Sequence, residues 1–289
     1  MNRGANCISL RNAEYDAKIL REPDYSTKLD NPYLYGMPIL YPVNRIKNGN
    51  FVFENRKYSF PINEPKTNCH IHGFVHETQF DAVQVNESCV NCRYEGQYAD
   101  CKQKFRIELY YEISDKGLLQ KTTITNLSDK NMPNFLGFHT TFNVPFANSS
   151  DAKNIRVRVD NDLEVQRNTD TYLPAGTFPE PDDVTRSLKD GNFVSHGRPI
   201  SRHYRAGASG AMEIYDVKNK LKVVYENDKK FGWRLIYNGN GEDYICLEPQ
   251  TCMVNCQNSG LDREFTGFDY IKPGSSKEYV SKIYINKMQ

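Results

Sequence analysis

Apolar and polar side chains alternate along several stretches of the chain. Between residues 104 and 113, every second side chain is apolar or aromatic, at Phe105, Ile107, Leu109, Tyr111 and Ile113. The same period of two recurs in residues 155–159, 221–225 and 279–285. Successive side chains of a β-strand point to opposite faces, so this pattern predicts many strands with one buried face.

Turn-forming residues separate these stretches at short intervals, most clearly at 114–117, 238–241 and 272–274. Residues 54–57 lie between two short aromatic stretches and predict a hairpin. No stretch of twelve or more residues has the 3.6-residue period of a helix, and only a short helical turn is expected at 182–188. Many short antiparallel strands without helices predict an all-β sandwich or barrel.

The part richest in loop-forming residues is 173–199, which holds four prolines and three glycines. No low-complexity linker divides the chain, so we interpret this part as a long loop leaving one sheet, and residues 1–289 as a single domain. Long loops of compact β domains often carry functional residues.

Charge and hydropathy narrow the functional class. Lys and Arg number 37 and Asp and Glu 36, a formal net charge of +1, which argues against nucleic-acid or membrane partners bound through overall charge. No apolar run approaches the roughly 20 residues that span a bilayer. The first ten residues lack the apolar core of a secretion signal. We therefore expect a cytoplasmic protein.

Eight cysteines raise the question of a metal. Cys89 and Cys92 have the spacing of a zinc knuckle, and Cys101 follows nearby. A structural zinc site usually takes two close pairs, and Cys252 and Cys256 lie far along the chain. We therefore expect reduced thiols and no metal.

Three of the six histidines, His70, His72 and His76, fall within seven residues. On a strand, His70 and His72 would share one face and could form half of a metal site. Together with His139 they loosely resemble the metal motifs of cupins, although the second motif is out of register. Structural hydrogen bonding is the alternative, and a metal-dependent cupin-like enzyme is a competing hypothesis.

Glu248 is a candidate catalytic residue for a physical reason. It follows the apolar residues 244–247 and precedes Pro249, which ends strand pairing. Partial desolvation at a strand end favours the neutral carboxyl group and raises its pKa, which suits a general base working near neutral pH. An ion pair with an arginine at the rim of a sheet explains this position equally well.

Three pieces of the sequence resemble the aldose 1-epimerase (galactose mutarotase) family. Residues 35–77 contain an Asn-Arg-Ile triplet, a hairpin with Lys-Tyr, a Pro-x-Asn-Glu run and a His-Gly pair. Residues 137–146, GFHTTFNVPF, resemble the second histidine block of the family, and residues 244–251, YICLEPQT, its catalytic-glutamate block. The pieces follow the family order and span roughly residues 30 to 260.

The resemblance implies a large twisted antiparallel β-sandwich, the galactose mutarotase-like supersandwich, with an open cleft for a hexose. It implies an isomerase that interconverts the α and β anomers of an aldose without a cofactor or metal. Glu248 matches the general base that takes the O1 proton, and His139 the general acid that protonates the ring oxygen O5. His72 and Arg45 match residues that hold the sugar.

Four further residues are candidate sugar ligands. Asn44 precedes Arg45, and Gln250 follows Glu248 closely. The family's sugar-binding aspartate has no counterpart in residues 199–204, where His203 or Ser201 is the candidate replacement. The only tryptophan, Trp233, is a candidate platform for the apolar face of a sugar, and core packing is an equally good interpretation.

Two alternative functions remain on the same fold. Arg202 and Arg205 stand near the position of the missing aspartate and would suit a hexose-6-phosphate 1-epimerase, because a guanidinium group binds phosphate through two hydrogen bonds; solvated loop charges explain them as well. A non-catalytic sugar-binding protein is the other alternative.

The chain starts only four residues before the block matching residues 5–10, so we expect the family's first strand to be absent. Because this would leave a sheet edge unpaired, we expect the protein to be a monomer or a homodimer.

Overall fold

The structure is a computed structural model that describes residues 1–24, 31–100 and 102–288. Most of it is β-strand. The 23 strands of this described part are, in chain order, β1 (Arg11–Asn12), β2 (Ala17–Lys18), β3 (Ile39–Leu40), β4 (Arg45–Lys47), β5 (Asn50–Phe53), β6 (Arg56–Ser59), β7 (Cys69–Ile71), β8 (Asp81–Asn86), β9 (Cys89–Tyr98), β10 (Gln103–Ser114), β11 (Gly117–Asn126), β12 (Met132–Pro133), β13 (Gly137–Phe138), β14 (Thr140–Asn143), β15 (Ile155–Val159), β16 (Asn161–Val165), β17 (Ser201–Ala206), β18 (Ala211–Asp216), β19 (Leu221–Asn227), β20 (Trp233–Tyr237), β21 (Tyr244–Gln250), β22 (Tyr270–Ile271) and β23 (Ser276–Lys287).

Helices are short. The described residues contain α1 (Asp183–Asp190), α2 (Arg263–Thr266) and five 3₁₀ turns, at Pro32–Leu34, Pro65–Thr67, Val75–Glu77, Ala152–Asn154 and Cys256–Asn258. The expected helical turn at 182–188 is confirmed as α1: the Asp182 side chain accepts the N–H of Thr185, and Gly191 ends the helix at a φ of 76°. No helix among the described residues has the length and apolarity to cross a membrane.

Two large antiparallel sheets form the architecture. One has eight strands in the order β15-β18-β19-β23-β11-β10-β9-β8. The other has seven, in the order β16-β17-β20-β21-β13-β3, with β14 also pairing with β21. The predicted hairpin is the connection from β5 to β6, where Glu54 and Asn55 both have positive φ, the backbone that a tight two-residue turn needs. The prediction of an all-β antiparallel fold is confirmed.

The core lies between the two sheets. In β10, buried side chains alternate with exposed or half-buried ones, as the period of two predicts. On the facing sheet, Phe142 of β14 packs its ring 5.7 Å from that of Tyr225 of β19, and the hydroxyl groups of Thr140 and Tyr225 are 3.0 Å apart. These contacts join the sheets behind strands β14 and β21.

The other face of the seven-stranded sheet positions the candidate site. All seven residues of β21 are buried, so loops cover this face as well. Part of the cover comes from the segment around Asn44, whose side chain bonds to Gln250 of β21. Another part comes from the long loop expected at 173–199, which is confirmed between β16 and β17 and contains α1. The cover leaves an opening lined in part by Asn44 and Pro199.

Candidate active site

A cavity of about 620 Å³ opens on the loop-covered face of the seven-stranded sheet. Its lining includes six of the residues named from the sequence: Asn44, Arg45, His72, His139, Ser201 and Glu248. These residues span more than 200 positions of the chain, and the pairing of β4 with β7 and of β14 with β21 brings them together. Such a cavity is large enough for a small organic ligand.

The sheet register places His139 beside Glu248. His139 lies in the gap between β13 and β14, and both strands pair with β21. Thr140 pairs with Leu247 on one side of the gap and Gly137 with Gln250 on the other, so His139 stands opposite Glu248. Opposite residues of an antiparallel pair point to the same face. As a result, His139 Nε2 lies 3.2 Å from Glu248 Oε1.

Burial shifts the pKa values of this pair in opposite directions. Glu248 is only 1% exposed, and loss of hydration raises its pKa to about 8 despite opposing effects of Gln250, Arg167 and Arg45. Loss of hydration also lowers the pKa of His139 to about 4. Between these values the pair holds one proton in total. The desolvation expected for Glu248 is therefore present. The strand end expected at Pro249 is wrong, because β21 continues to Gln250 and Pro249 pairs with Arg234.

A chain of amide hydrogen bonds fixes one oxygen of Glu248. Asn44 Nδ2 donates to Gln250 Oε1 at 3.0 Å, which leaves Gln250 Nε2 to donate to Glu248 Oε2 at 3.2 Å. Asn44 Oδ1 in turn accepts the backbone N–H of Arg45. The Oε1 atom of Glu248, which faces His139, has no hydrogen-bond partner among the described residues. Oε2 is thus the anchored oxygen and Oε1 the one free to react.

The same asparagine orients His72. The backbone N–H of Asn44 donates to His72 Nδ1 at 3.3 Å, so the ring proton sits on Nε2. Burial, together with the charges of His139 and Arg45, lowers the pKa of His72 well below its usual value. His72 therefore enters the site as a neutral ring with an N–H donor.

The residue after His72 must be small. Gly73 has a φ of +64°, and a Cβ built there would lie only 2.0 Å from the carbonyl oxygen of Tyr41. Glycine is the residue that accepts both conditions without strain. The His-Gly pair in the sequence thus reflects how closely this turn passes the segment at Tyr41.

Arg45 is held by a carboxylate. Its Nε and Nη2 atoms donate to the two oxygens of Glu64 at 2.6 and 2.7 Å. Although burial alone would raise the pKa of Glu64, hydrogen bonds from Arg45 and Thr67 lower it. The guanidinium group of Arg45 also lies 4.7 Å from the ring centre of Tyr172. The pair carries no net charge into the cavity.

The match to a known family covers most of the chain. The model of the aldose 1-epimerase family matches residues 1–276. The chain belongs to the aldose 1-epimerase family. The resemblance inferred from the sequence is confirmed, and the family is one of isomerases that act on sugars.

Solved structures agree with this family and fold. A galactose mutarotase-like protein from Clostridium acetobutylicum is 32% identical, with a TM-score of 0.92 over 99% of this chain and 91% of that one. A putative aldose 1-epimerase from Escherichia coli K12 is 16% identical, with a TM-score of 0.76 over 94% and 89% of the two chains. Galactose 1-epimerase from Lactobacillus acidophilus NCFM is 15% identical, with a TM-score of 0.72 over 100% and 90%. At such low identity, the last two show the shared fold.

Membership in the aldose 1-epimerase family overturns the cupin-like hypothesis, and the geometry gives a second reason. That hypothesis needed His70, His72 and His139 around one metal. His70 instead places Nδ1 at 2.7 Å from the carbonyl oxygen of Pro61 and packs its ring against Phe60, away from the cavity. In residues 1–24, 31–100 and 102–288, no group of three or more His, Cys, Asp or Glu side chains is arranged to hold a metal.

The cysteine pair does not have the geometry of a zinc knuckle. Cys89 and Cys92 lie three positions apart on the regular strand β9, so their side chains point to opposite faces. Cys101 lies outside the described residues. The seven described cysteines are free thiols.

Three of the predicted sugar ligands of this epimerase-family chain do not line the cavity: Gln250, Trp233 and His203. Gln250 does not reach the cavity, but its side chain donates a hydrogen bond to Glu248. Trp233 is 2% exposed, and its ring stacks on His203 with centroids 5.3 Å apart. His203 Nε2 accepts the backbone N–H of Val254 at 3.2 Å. The segment at Val254 therefore separates Trp233 and His203 from the opening.

The two arginines that suggested a phosphate site are also elsewhere. Arg202 forms ion pairs with Asp182 at 2.7 Å and Glu164 at 3.0 Å. Arg205 forms an ion pair with Asp162. Neither arginine lines the cavity. They are neutralised by carboxylates on neighbouring elements, so these two arginines do not support a phosphate site at the cavity.

Sequence reasoning missed several side chains of the cavity, among them Tyr33, Glu64, Arg167 and Tyr172. The ring of Tyr33 lies 4.9 Å from that of His72 and 5.9 Å from that of His139, and forms a wall of the site. Glu64 stands in the Pro-x-Asn-Glu run, which could have pointed to it. Arg167 and Tyr172 follow β16 in a polar loop, where no periodic pattern identifies them.

Proposed function

We propose that the protein is an aldose 1-epimerase that interconverts the α and β anomers of an aldose, with Glu248 as general base and His139 as general acid. The observation that supports this most directly is the buried pair itself. Its two reacting atoms, Glu248 Oε1 and His139 Nε2, are 3.2 Å apart at the base of a cavity of about 620 Å³. Burial shifts their pKa values so that the pair holds one proton at neutral pH.

The reaction requires acid and base to be close together. In a cyclic aldose, O1 and the ring oxygen O5 are bonded to the same carbon, C1. The geometry that suits two neighbouring oxygens is therefore a neighbouring acid and base. The arrangement of His139 and Glu248 on adjacent strands meets this requirement.

Ring opening moves one proton at each end. Glu248 Oε1 takes the proton of the O1 hydroxyl, and the electrons of that O–H bond form the C1=O1 double bond. The C1–O5 bond breaks, and its electrons go to O5, which takes a proton from His139 Nε2. Rotation about C1–C2 presents the other face of the aldehyde, and reversal of the proton transfers closes the ring as the other anomer.

One proton suffices for the whole cycle. The pKa values place the resting proton on Glu248, so the pair first transfers it to His139 over the 3.2 Å between them, and ring opening then returns a proton to Glu248. Closure returns it to His139, so no net proton is taken from or given to solvent. A pair that holds one proton between about pH 4 and 8 is therefore suited to this reaction.

Neighbouring groups are positioned to hold the sugar. His72 offers a neutral Nε2–H donor beside His139, with the two rings 5.7 Å apart. Arg45 is placed at the wall by its bidentate bond to Glu64. We assign sugar binding to His72 and Arg45, and we assign to Asn44 and Gln250 the task of orienting His72 and Glu248.

The alternatives receive less support. A non-catalytic sugar-binding protein would not need a carboxyl group and an imidazole ring buried side by side, because their desolvation is unfavourable unless the pair has a task. The hexose-6-phosphate alternative depended on Arg202 and Arg205, which are ion-paired away from the cavity.

Polarimetry on freshly dissolved α-D-glucose and α-D-galactose tests the proposal. We expect the protein to speed the optical relaxation and Glu248→Gln to lose about 10²–10⁴-fold of that acceleration, the usual value of an acid–base group. Glu278→Gln, at an exposed position of β23, is the matched control and should keep full activity. The proposal fails if the folded protein accelerates no aldose, and the assignment of the base fails if Glu248→Gln stays active.

A further inference from the structure

The charges that line the cavity do not balance. Four residues with ionisable acidic or strongly basic side chains are among its lining: Arg45, Glu64, Arg167 and Glu248. Arg45 and Glu64 neutralise each other through two hydrogen bonds. Glu248 shares a single proton with His139, so this second pair is neutral overall. Among the described residues, Arg167 is then the charged lining residue that forms no ion pair, apart from longer-range attraction to Glu248 and Glu164.

Arg167 is held in place without a carboxylate. It follows β16, and its Nη2 donates to the backbone oxygen of Ser201 at 2.5 Å and to the Ser201 hydroxyl at 2.9 Å. No acidic side chain of the described part forms an ion pair with it, and its Nε and Nη1 have no partner there. The guanidinium group is thus fixed along one edge and keeps donors for a ligand.

A second guanidinium group lies nearby. The ring of Tyr172 has Arg45 4.7 Å from its centre and Arg167 5.7 Å from it. Partial burial and the charge of Arg45 lower the pKa of Arg167 to about 10, so it remains protonated at neutral pH. Glu64 pairs with Arg45 alone, so of the two guanidinium groups at this ring only Arg167 has no ion-pair partner among the described residues.

We propose that Arg167 is the counter-ion of an acidic substituent on the substrate, so that the cavity prefers an aldose carrying a carboxylate or a phosphate monoester over a neutral aldose. This inference rests on the proposed function, because it names the class of aldose that the Glu248–His139 pair would act on. Both substituents share the chemistry that a guanidinium group recognises: two oxygens spaced to accept parallel N–H donors.

The test compares glucose, glucuronate and glucose 6-phosphate by exchange NMR of the two anomers. We expect kcat/KM to be higher for at least one of the two anionic sugars than for glucose. In Arg167→Gln, the ratio of anionic to neutral kcat/KM should fall about 10- to 100-fold, the effect of losing hydrogen bonds to a charged group. Which of glucuronate and glucose 6-phosphate shows the larger fall distinguishes the carboxylate from the phosphate.

Two variants sharpen the comparison. Arg205→Gln removes an arginine that is ion-paired outside the cavity, and the ratio should not change. Arg167→Lys keeps the charge but loses the planar pair of donors, so an intermediate ratio is expected. Preference for glucose in the wild type, or an Arg167→Gln variant that loses activity equally on all three sugars, would overturn the inference.

Calorimetry separates this inference from the reaction. Glu248→Gln should bind the preferred anionic sugar, and the double variant with Arg167→Gln should bind it at least tenfold more weakly. Arg167-dependent binding without epimerisation of any sugar would support the anion site and overturn the proposed reaction. Fast epimerisation with an unchanged anionic-to-neutral ratio in Arg167→Gln would support the reaction and overturn the anion site.

Discussion

At the scale of single residues, the site depends on two side chains whose pKa values have crossed. The pKa of an ordinary glutamate is lower than that of an ordinary histidine. Here burial raises the pKa of Glu248 to about 8 and lowers the pKa of His139 to about 4. The pair therefore exchanges one proton over a wide pH range. Residue chemistry of this kind could be suspected from the sequence only for Glu248, because the apolar residues before it indicate desolvation. Nothing local to His139 indicates its burial.

The crossed pKa values predict a broad bell-shaped pH profile. As pH falls below about 4, the pair gains a second proton and loses its base. As pH rises above about 8, the pair loses its only proton and its acid. We expect kcat/KM for a neutral aldose to be nearly constant between these limits, measured by polarimetry after subtracting the uncatalysed rate. A loss of activity centred near 6.5, the ordinary histidine value, would contradict this account.

The Gln250 amide provides a second residue-scale prediction. Its hydrogen bond favours the ionised form of Glu248 and lowers the pKa of that carboxyl group. In Gln250→Leu the Glu248 pKa should rise further, because hydrogen bonds to charged groups contribute about 1.5–3 kcal/mol. We expect the alkaline limb of kcat/KM to move to higher pH and the value at pH 6 to fall about 10- to 100-fold.

The control for Gln250 is Gln97→Leu, at an exposed position of β9. It should leave both limbs in place. If Gln250→Leu only lowers the yield of folded protein, with the alkaline limb unmoved, then Gln250 is a packing residue and does not position the base.

At the scale of elements, the sequence predicts well where the strands lie. It predicts poorly which parts of a strand face are covered by loops. The two-residue period of β10 appears as alternating burial, and the hairpin between β5 and β6 has the turn that its residues predict. Trp233 and Glu248 project from one face of the seven-stranded sheet, because Leu235 pairs with Glu248 and lies two residues from Trp233. Only Glu248 reaches the cavity.

The reason is tertiary cover. The backbone at Val254 bonds to His203, and the ring of Phe265 lies 6.2 Å from that of Trp233, so this part of the face is closed. Which loop lies over which strand depends on contacts between distant parts of the chain. Arg167 escaped prediction for the same reason: only the fold brings the loop after β16 next to the strand that carries Glu248.

At the scale of the whole molecule, the two faces of the seven-stranded sheet have separate tasks. One face carries the cavity, and the other packs on the eight-stranded sheet. On β14, Thr141 points with His139 to the cavity side, while Thr140 and Phe142 point to the core and meet Tyr225. Stability and chemistry are thus built on alternate residues of the same strands.

This division predicts that Phe142→Ala damages stability more than chemistry. Phe142 is buried between the sheets, and removing such a ring typically costs about 3–5 kcal/mol of unfolding free energy. Urea unfolding should show this loss, whereas Val52→Ala, at an exposed side chain of β5, should change the free energy by less than about 0.5 kcal/mol. Per folded molecule, kcat/KM of Phe142→Ala should stay within a few-fold of the wild type, because Glu248 lies on the opposite face. A loss below about 1 kcal/mol would mean that the two sheets do not share the core described above.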